Sequence, residues 1–192
     1  MQEMKLKTQL STASVDNPHF GLLNRRMDMV AFHIDKQMYT LPIELIHQVI
    51  DMVAITPIPE KNDSIKGIFN YHGTTIPVVN LRNFLSLNEI PVQLHTPMIL
   101  VSFSGQTIGL IVDKVVGVVS YPMEEILSPE DLLPADLGKI QILDGVIQSP
   151  EGFFMLLNLE NLFALQTRPD LTETLEKLTA YQMVSELEER TV

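Results

Sequence analysis

From Val30 onward, apolar and polar positions alternate with a period of two along much of the chain. Val30, Phe32 and Ile34 fall on one face and Ala31 and His33 on the other, Asp35-Lys36-Gln37 supplies a turn, and residues 38–41 return. That is the pattern of a β-hairpin. A second hairpin is predicted over residues 65–82, where β-branched residues flank His72-Gly73. Pro77 cannot donate to a ladder, which predicts an edge strand or a strand start at this point. Residues 98–103 and 107–112 form a third hairpin closed by Ser104-Gly105, and residues 115–119 continue apolar and β-branched. Residues 140–147 and 153–157 form a fourth, across Ser149-Pro150-Glu151-Gly152. Between the first two hairpins the spacing changes. Pro42 suits the first turn of a helix, and Ile43, Ile46 and Ile50 recur at helical spacing, so a short helix is predicted over residues 43–50, followed by an extended 51–58. Residues 80–87 read as a short helix or turn.

This β-rich unit occurs twice. Residues 78–85, V-V-N-L-R-N-F-L, align with 156–163, L-L-N-L-E-N-L-F: apolar meets apolar and both asparagines are identical at an offset of 78. Gly67 falls on Gly145 at the same offset, whereas upstream Gln37 matches Gln106 at 69. One insertion of nine residues in the second copy, placed at 128–136, reconciles the two. Two copies are too few for a solenoid and point to a paired-barrel arrangement.

The two ends differ from the middle. Residues 1–27 are polar and weakly patterned and read as a mobile leader. Near the other end, Asp170 and Glu173 form a capping box after Pro169, and Leu171, Leu175, Leu178, Tyr181, Val184 and Leu187 recur at three or four residues. Residues 167–192 are therefore predicted to form an amphipathic helix with an acidic outer face. Its stripe either docks on the rest of the chain or is offered to a partner or a second copy.

Charge and composition narrow the chemistry. A net charge of −11 over 192 residues argues against nucleic acid, which needs basic stripes. There are no cysteines, hence no disulfide framework and no thiolate site. No apolar run reaches bilayer length and the first ten residues lack a signal-peptide core, so a soluble cytoplasmic protein without membrane insertion is expected. The five histidines stand apart without metal-ligand spacing. Glu124-Glu125 and Glu130-Asp131 lie in polar, proline-flanked segments where solvated charge is the ordinary role. Asp113 ends an apolar run and either caps the next turn or faces a site. No catalytic constellation, metal or cofactor is expected; a binding module is.

The order of motifs carries a resemblance. Phe32-His33-Ile34, then Tyr39-x-Leu41-x-Ile43, then I-K-G-x-x-N-x-x-G-x-x-I-P-V-V-N-L-R over 65–82, then Gly109-x-Ile111-Val112-Asp113-x-Val115 and Leu156-Leu157-Asn158-Leu159-Glu160 resemble the CheW family of chemotaxis coupling proteins. The resemblance covers about residues 29–165. It implies a mainly β fold: two small five-stranded SH3-like β-barrels on a shared core within residues 28–166, their junction near 88–97, with short helices. It also implies a non-catalytic adaptor in a chemosensory array, joining the cytoplasmic helical hairpin tip of a chemoreceptor to the regulatory domain of the histidine kinase CheA. The partner-binding candidates are then Ile46 and Gln48 on the predicted helix, Gly67, Asn70 and His72 on the hairpin, and Val112, Asp113 and Val115 on the second barrel. Three departures bear on specificity. Asn70-Tyr71-His72-Gly73 stands where the family usually has Asn-Leu-Arg-Gly, Gln48 where an acidic residue is common, and Asn80 where Asp is common. Arginine grips a carboxylate with paired donors and is always charged, which imidazole does not reproduce. The alternatives are a CheW-like protein turned to another partner or to a non-flagellar, surface-motility output, and self-association through the C-terminal helix.

Overall fold

The computed structural model describes residues 25–58, 65–132 and 142–165. Most of the expected leader and all of the expected C-terminal helix lie outside these residues. Arg26 and Met27, assigned to the leader, already belong to the first strand.

Eleven strands and three short helices follow one another among the described residues. They are β1 (Arg26–Ile34), β2 (Gln37–Pro42), β3 (Ile46–Asp51), β4 (Ile65–Tyr71), β5 (Thr74–Asn80) and α1 (Leu81–Phe84). After them come β6 (Pro97–Phe103), β7 (Gln106–Ile111), β8 (Lys114–Pro122), β9 (Ile126–Leu127), α2 (Pro129–Leu132), β10 (Leu143–Ser149), β11 (Gly152–Leu157) and α3 (Leu159–Leu165). They form two sheets, one of six strands ordered β8-β1-β2-β11-β10-β9 and one of five ordered β3-β6-β7-β5-β4. The mainly β expectation holds, with a sixth strand in one sheet.

The repeat is real down to hydrogen-bond register. Bulges fall at His47 in the β3–β6 pair and at Val116 in the β8–β1 pair, 69 residues apart. Two more fall at Lys66 in β4–β5 and Asp144 in β10–β11, 78 apart. The parallel pairs match as well: Val78 faces Gly109 as Leu156 faces Thr40. Yet the copies are exchanged. β2 from the first half pairs with β11 from the second, while β7 from the second pairs with β5 from the first. The expected junction near 88–97 is therefore not where the sheets divide, because β4, β5, β6 and β7 all share the five-stranded sheet. The chain changes sheet between β2 and β3 and again between β7 and β8. Parallel partners cannot be joined by a tight turn, and the exchange supplies the crossovers they need.

Three apolar clusters hold this together. The central one takes Val30, Phe32 and Ile34 from one sheet, Ile99, Val101 and Leu110 from the other, and Leu81, Phe84, Leu162 and Phe163 from the helices. Phe69, Val78, Met98 and Leu100 form a core of the five-stranded sheet alone, and Met29, Ala31, Phe154 and Leu156 one of the six-stranded sheet. Both faces of β1 are thus buried, Val30, Phe32 and Ile34 in the central cluster and Met29 and Ala31 in that of the six-stranded sheet.

Two local readings need correction. Residues 43–50 are not a helix: Ile43–Leu45 make a single 3-10 turn after Pro42, and β3 follows. The bulge at His47 switches faces, so Ile46 packs on the central cluster and Ile50 on that of the five-stranded sheet. A bulged strand feeding two cores imitates helical spacing. Pro77 is also not on an edge, since β5 lies between β7 and β4. It is accommodated because parallel pairing with β7 begins one residue later, at Val78.

Candidate functional site

β3 is an edge strand of its sheet, paired only with β6. β4 lies at the opposite edge, yet the two are tied together. The phenolic O–H of Tyr71, at the end of β4, donates to Gln48 Oε1 of β3 at 2.7 Å. Just after β3, Thr56 exchanges backbone hydrogen bonds with Ile68 of β4 at 2.8 and 2.9 Å. The sheet is thereby curled so that its two edges meet, and the β4–β5 turn stands beside the free side of β3.

That turn is rigidly built. His72 and Gly73 both have positive φ, 52° and 90°, which is the type I′ geometry favoured by right-handed strand twist. Asn70 Oδ1 accepts from Gly73 N–H at 2.9 Å, and the His72 ring packs edge-on against Tyr71 with centroids 4.5 Å apart. Gln48, Asn70 and His72 are exposed, while Ile46, across the bulge, is half-buried against the central cluster. Val49 and Val53 add exposed apolar surface on the same stretch of chain. The result is a small patch of amide, imidazole and phenol groups around the Gln48–Tyr71–His72 contacts. Tyr71, which links the two edges, was not singled out from the sequence; an aromatic next to a turn at a strand end was the available signal.

The other candidates serve the interior. Gly67 is buried against residues 55–56, and Val112 is 1% exposed in the central core. Asp113 is engaged in an ion pair. Its two carboxylate oxygens accept from Arg82 Nε at 2.8 Å and Nη2 at 2.7 Å, and Oδ2 also accepts from the Asp35 backbone N–H. Arg82 Nη1 donates to the Asn88 carbonyl at 2.9 Å and Nη2 approaches Asp35 Oδ1 at 3.5 Å. One guanidinium therefore joins α1, the β1–β2 turn, the β7–β8 crossover and the segment leading to β6. Asn80 is likewise internal: it is buried, and its Oδ1 caps α1 by accepting from Arg82 N–H at 3.0 Å. Its departure from the family's Asp concerns a cap rather than a contact surface. Val115 is half-buried on β8, the edge of the six-stranded sheet, where its neighbours Val116 and Val118 are exposed. The structure thus brings Gln48 and His72 together through Tyr71, keeps Asn70 in the same turn, turns Ile46 to the central cluster on the opposite face of β3, sets Val115 on the other sheet, and withdraws Gly67, Val112 and Asp113.

Bonding to Asp113 raises Arg82 above its usual value against the cost of burial. Burial alone would raise Asp113, but the Arg82 hydrogen bonds, the Asp35 N–H and nearby positive charge bring it below the usual carboxylate range. A depressed carboxyl stabilises the fold fully above its unfolded value, about pH 3.9, and loses that contribution as pH falls through the lower folded value. The stability gap between the parent and Asp113→Asn is expected to stay constant from neutrality to about pH 4 and to close below it. Urea titrations across pH check this; a gap that widens in acid would contradict it.

A family model described as CheW-like domain matches residues 28–167. The chain is 21% identical over 145 residues to the chemotaxis protein CheW of Treponema pallidum, covering 73% of this chain and 84% of that protein. It is 27% identical over 138 residues to protein FrzA of Myxococcus xanthus, covering 72% and 84%. Among solved structures it is similar to the scaffolding protein TtCheW from Thermoanaerobacter tengcongensis, with TM-score 0.66, 28% identity, and coverage of 75% of this chain and 97% of that one.

Proposed function

The chain belongs to the CheW-like domain family of scaffolding and adaptor proteins, and from that premise we propose that it couples the cytoplasmic hairpin tip of a chemoreceptor to the regulatory domain of the histidine kinase CheA. The observation that carries the reading is the joined edge of β3 and the β4–β5 turn. Gln48, Asn70 and His72 present donors and acceptors there, and the exposed Val49 and Val53 lie on the same stretch of chain, which suits a helix that offers both polar and apolar groups. Val115 and the exposed valines of β8 lie on the edge of the other sheet, leaving a separate surface for the kinase domain. The adaptor acts in the cytoplasm at receptor arrays, without a chemical step. Among the described residues no helix is long and apolar enough to cross a membrane.

Co-sedimentation tests the proposal: receptor-bearing membranes should carry the kinase down when this chain is added and not without it. Kinase that stays in the supernatant in both cases would refute it. His72 bears on a second reading, a partner changed with the turn. Restoring the family's arginine with His72→Arg should tighten receptor-tip binding up to about fivefold, the value of one exposed ion pair. Unchanged or weaker binding in calorimetry would favour an altered receptor class or a different output.

A further inference from the structure

The run between α1 and β6 carries an apolar surface that neither sheet uses. Among the described residues eleven large apolar side chains are exposed, and four of them, Leu87, Ile90, Val92 and Leu94, fall within eight residues here. Leu94 is 79% exposed. The backbone beneath them is pinned and does not turn them inward. Leu87 N–H donates to the Arg82 carbonyl at 2.8 Å, Asn88 C=O accepts from the Arg82 guanidinium, and Glu89 pairs with Lys66 at 2.6 Å. Thr96 N–H closes the following turn on the Gln93 carbonyl at 3.0 Å. A cluster of large apolar groups held in place at the surface marks a site that something covers.

We propose that the cover is the chain's own residues 167–192, docked through the stripe Leu171, Leu175, Leu178 and Tyr181. Three observations select this occupant. The described chain ends with α3, whose Phe163 ring packs on Phe84 of α1 at 5.3 Å. The C-terminal segment thus departs beside α1, from which the 87–94 run also departs. Its 26 residues reach about 40 Å as a helix at 1.5 Å per residue, ample to cross that run. Its apolar residues recur at three or four while the intervening ones are mostly polar or acidic, so it has one face to bury and one for water. A short tether raises the local concentration to about the millimolar range, which favours the same chain over a second copy. The proposal stands independently of the coupling role.

The absence of cysteine permits a single nitroxide on the full chain through Thr174→Cys. In isotope-labelled protein, the amides of residues 90–94 should lose most of their intensity when the label is oxidised and recover it on reduction. Adding Ile90→Glu and Leu94→Glu should abolish the loss while the other amides keep their dispersion. Unaffected amides at 90–94, or broadening centred on the β8 edge, would overturn the proposal. So would broadening passed from a spin-labelled, isotopically silent copy to an unlabelled isotope-enriched one, since the occupant would then be a second molecule.

Discussion

Arg82→Met is expected to cost about 3 kcal/mol of folding stability, the lower end of what breaking a buried ion pair costs. The Arg82 and Asp113 side chains are only 10% and 19% exposed. The substitution leaves the Asp113 carboxylate partly desolvated with its two strongest donors gone, and it frees the Asn88 carbonyl. Asp113→Asn should cost less, because the amide keeps an acceptor for the Asp35 N–H. In a double-mutant cycle the two should couple strongly, since they share the same hydrogen bonds. Urea denaturation measures all three variants; a loss under about 1 kcal/mol for Arg82→Met would place the pair with ordinary surface bridges. The repeat sharpens the point. The position equivalent to Arg82 is Glu160, and that equivalent to Asp113 is Glu44. The clasp therefore secures the β7–β8 crossover and has no charge-matched counterpart at β2–β3.

Gly67→Ala should be comparably severe, and Gly145→Ala milder, although the two glycines are repeats of each other. At Gly67, φ is +142°, and an added Cβ would fall on the Thr56 carbonyl oxygen, with Ile55 Cγ2 at 2.7 Å and the Thr56 carbonyl carbon at 2.9 Å. Backbone strain and overpacking each cost about 1–3 kcal/mol, and the backbone of Thr56 cannot withdraw without breaking its bridge to Ile68. At Gly145 the foremost obstacle is the Ile126 side chain, which can rotate, with the Leu127 carbonyl oxygen at 3.4 Å. Thermal unfolding should show Gly67→Ala with the larger drop by about 2 kcal/mol or more; equal drops would mean that the Thr56 contact adds nothing. Because residues 55–56 continue from β3, the same variant should also weaken receptor-tip binding.

The hairpins, their turns and the repeat were legible because each is local: alternating burial, Ser104-Gly105 and His72-Gly73 turns, and asparagines at one offset. The first of the two repeated asparagine positions proved to be a cap, Asn80 toward Arg82 and Asn158 toward Asn161, which explains why the repeat keeps it. The exchange of hairpins was not legible. Pairing β2 with β11 or with β5 buries similar apolar residues, and only three-dimensional packing chooses between them. β3 was misread because its bulge at His47 sends Ile46 and Ile50 to different cores. The same limit applies to the site. Sequence pattern placed Gln48, Asn70 and His72 on a motif. It did not separate them from Gly67, Val112 and Asp113, whose motif positions serve the interior. Tyr71, which joins Gln48 to the turn, carries its information in a contact between strands at opposite edges of a sheet.

The most direct test of the coupling account is an amide-shift titration of the isotope-labelled full chain with a receptor-tip helical hairpin and, separately, with the CheA regulatory domain. The account predicts that the hairpin moves Gln48, Asn70, His72 and their neighbours, and that the kinase domain moves a distinct set that includes the β8 edge. Silence with both partners at about millimolar concentration, where even weak complexes of about −4 kcal/mol populate, would contradict it.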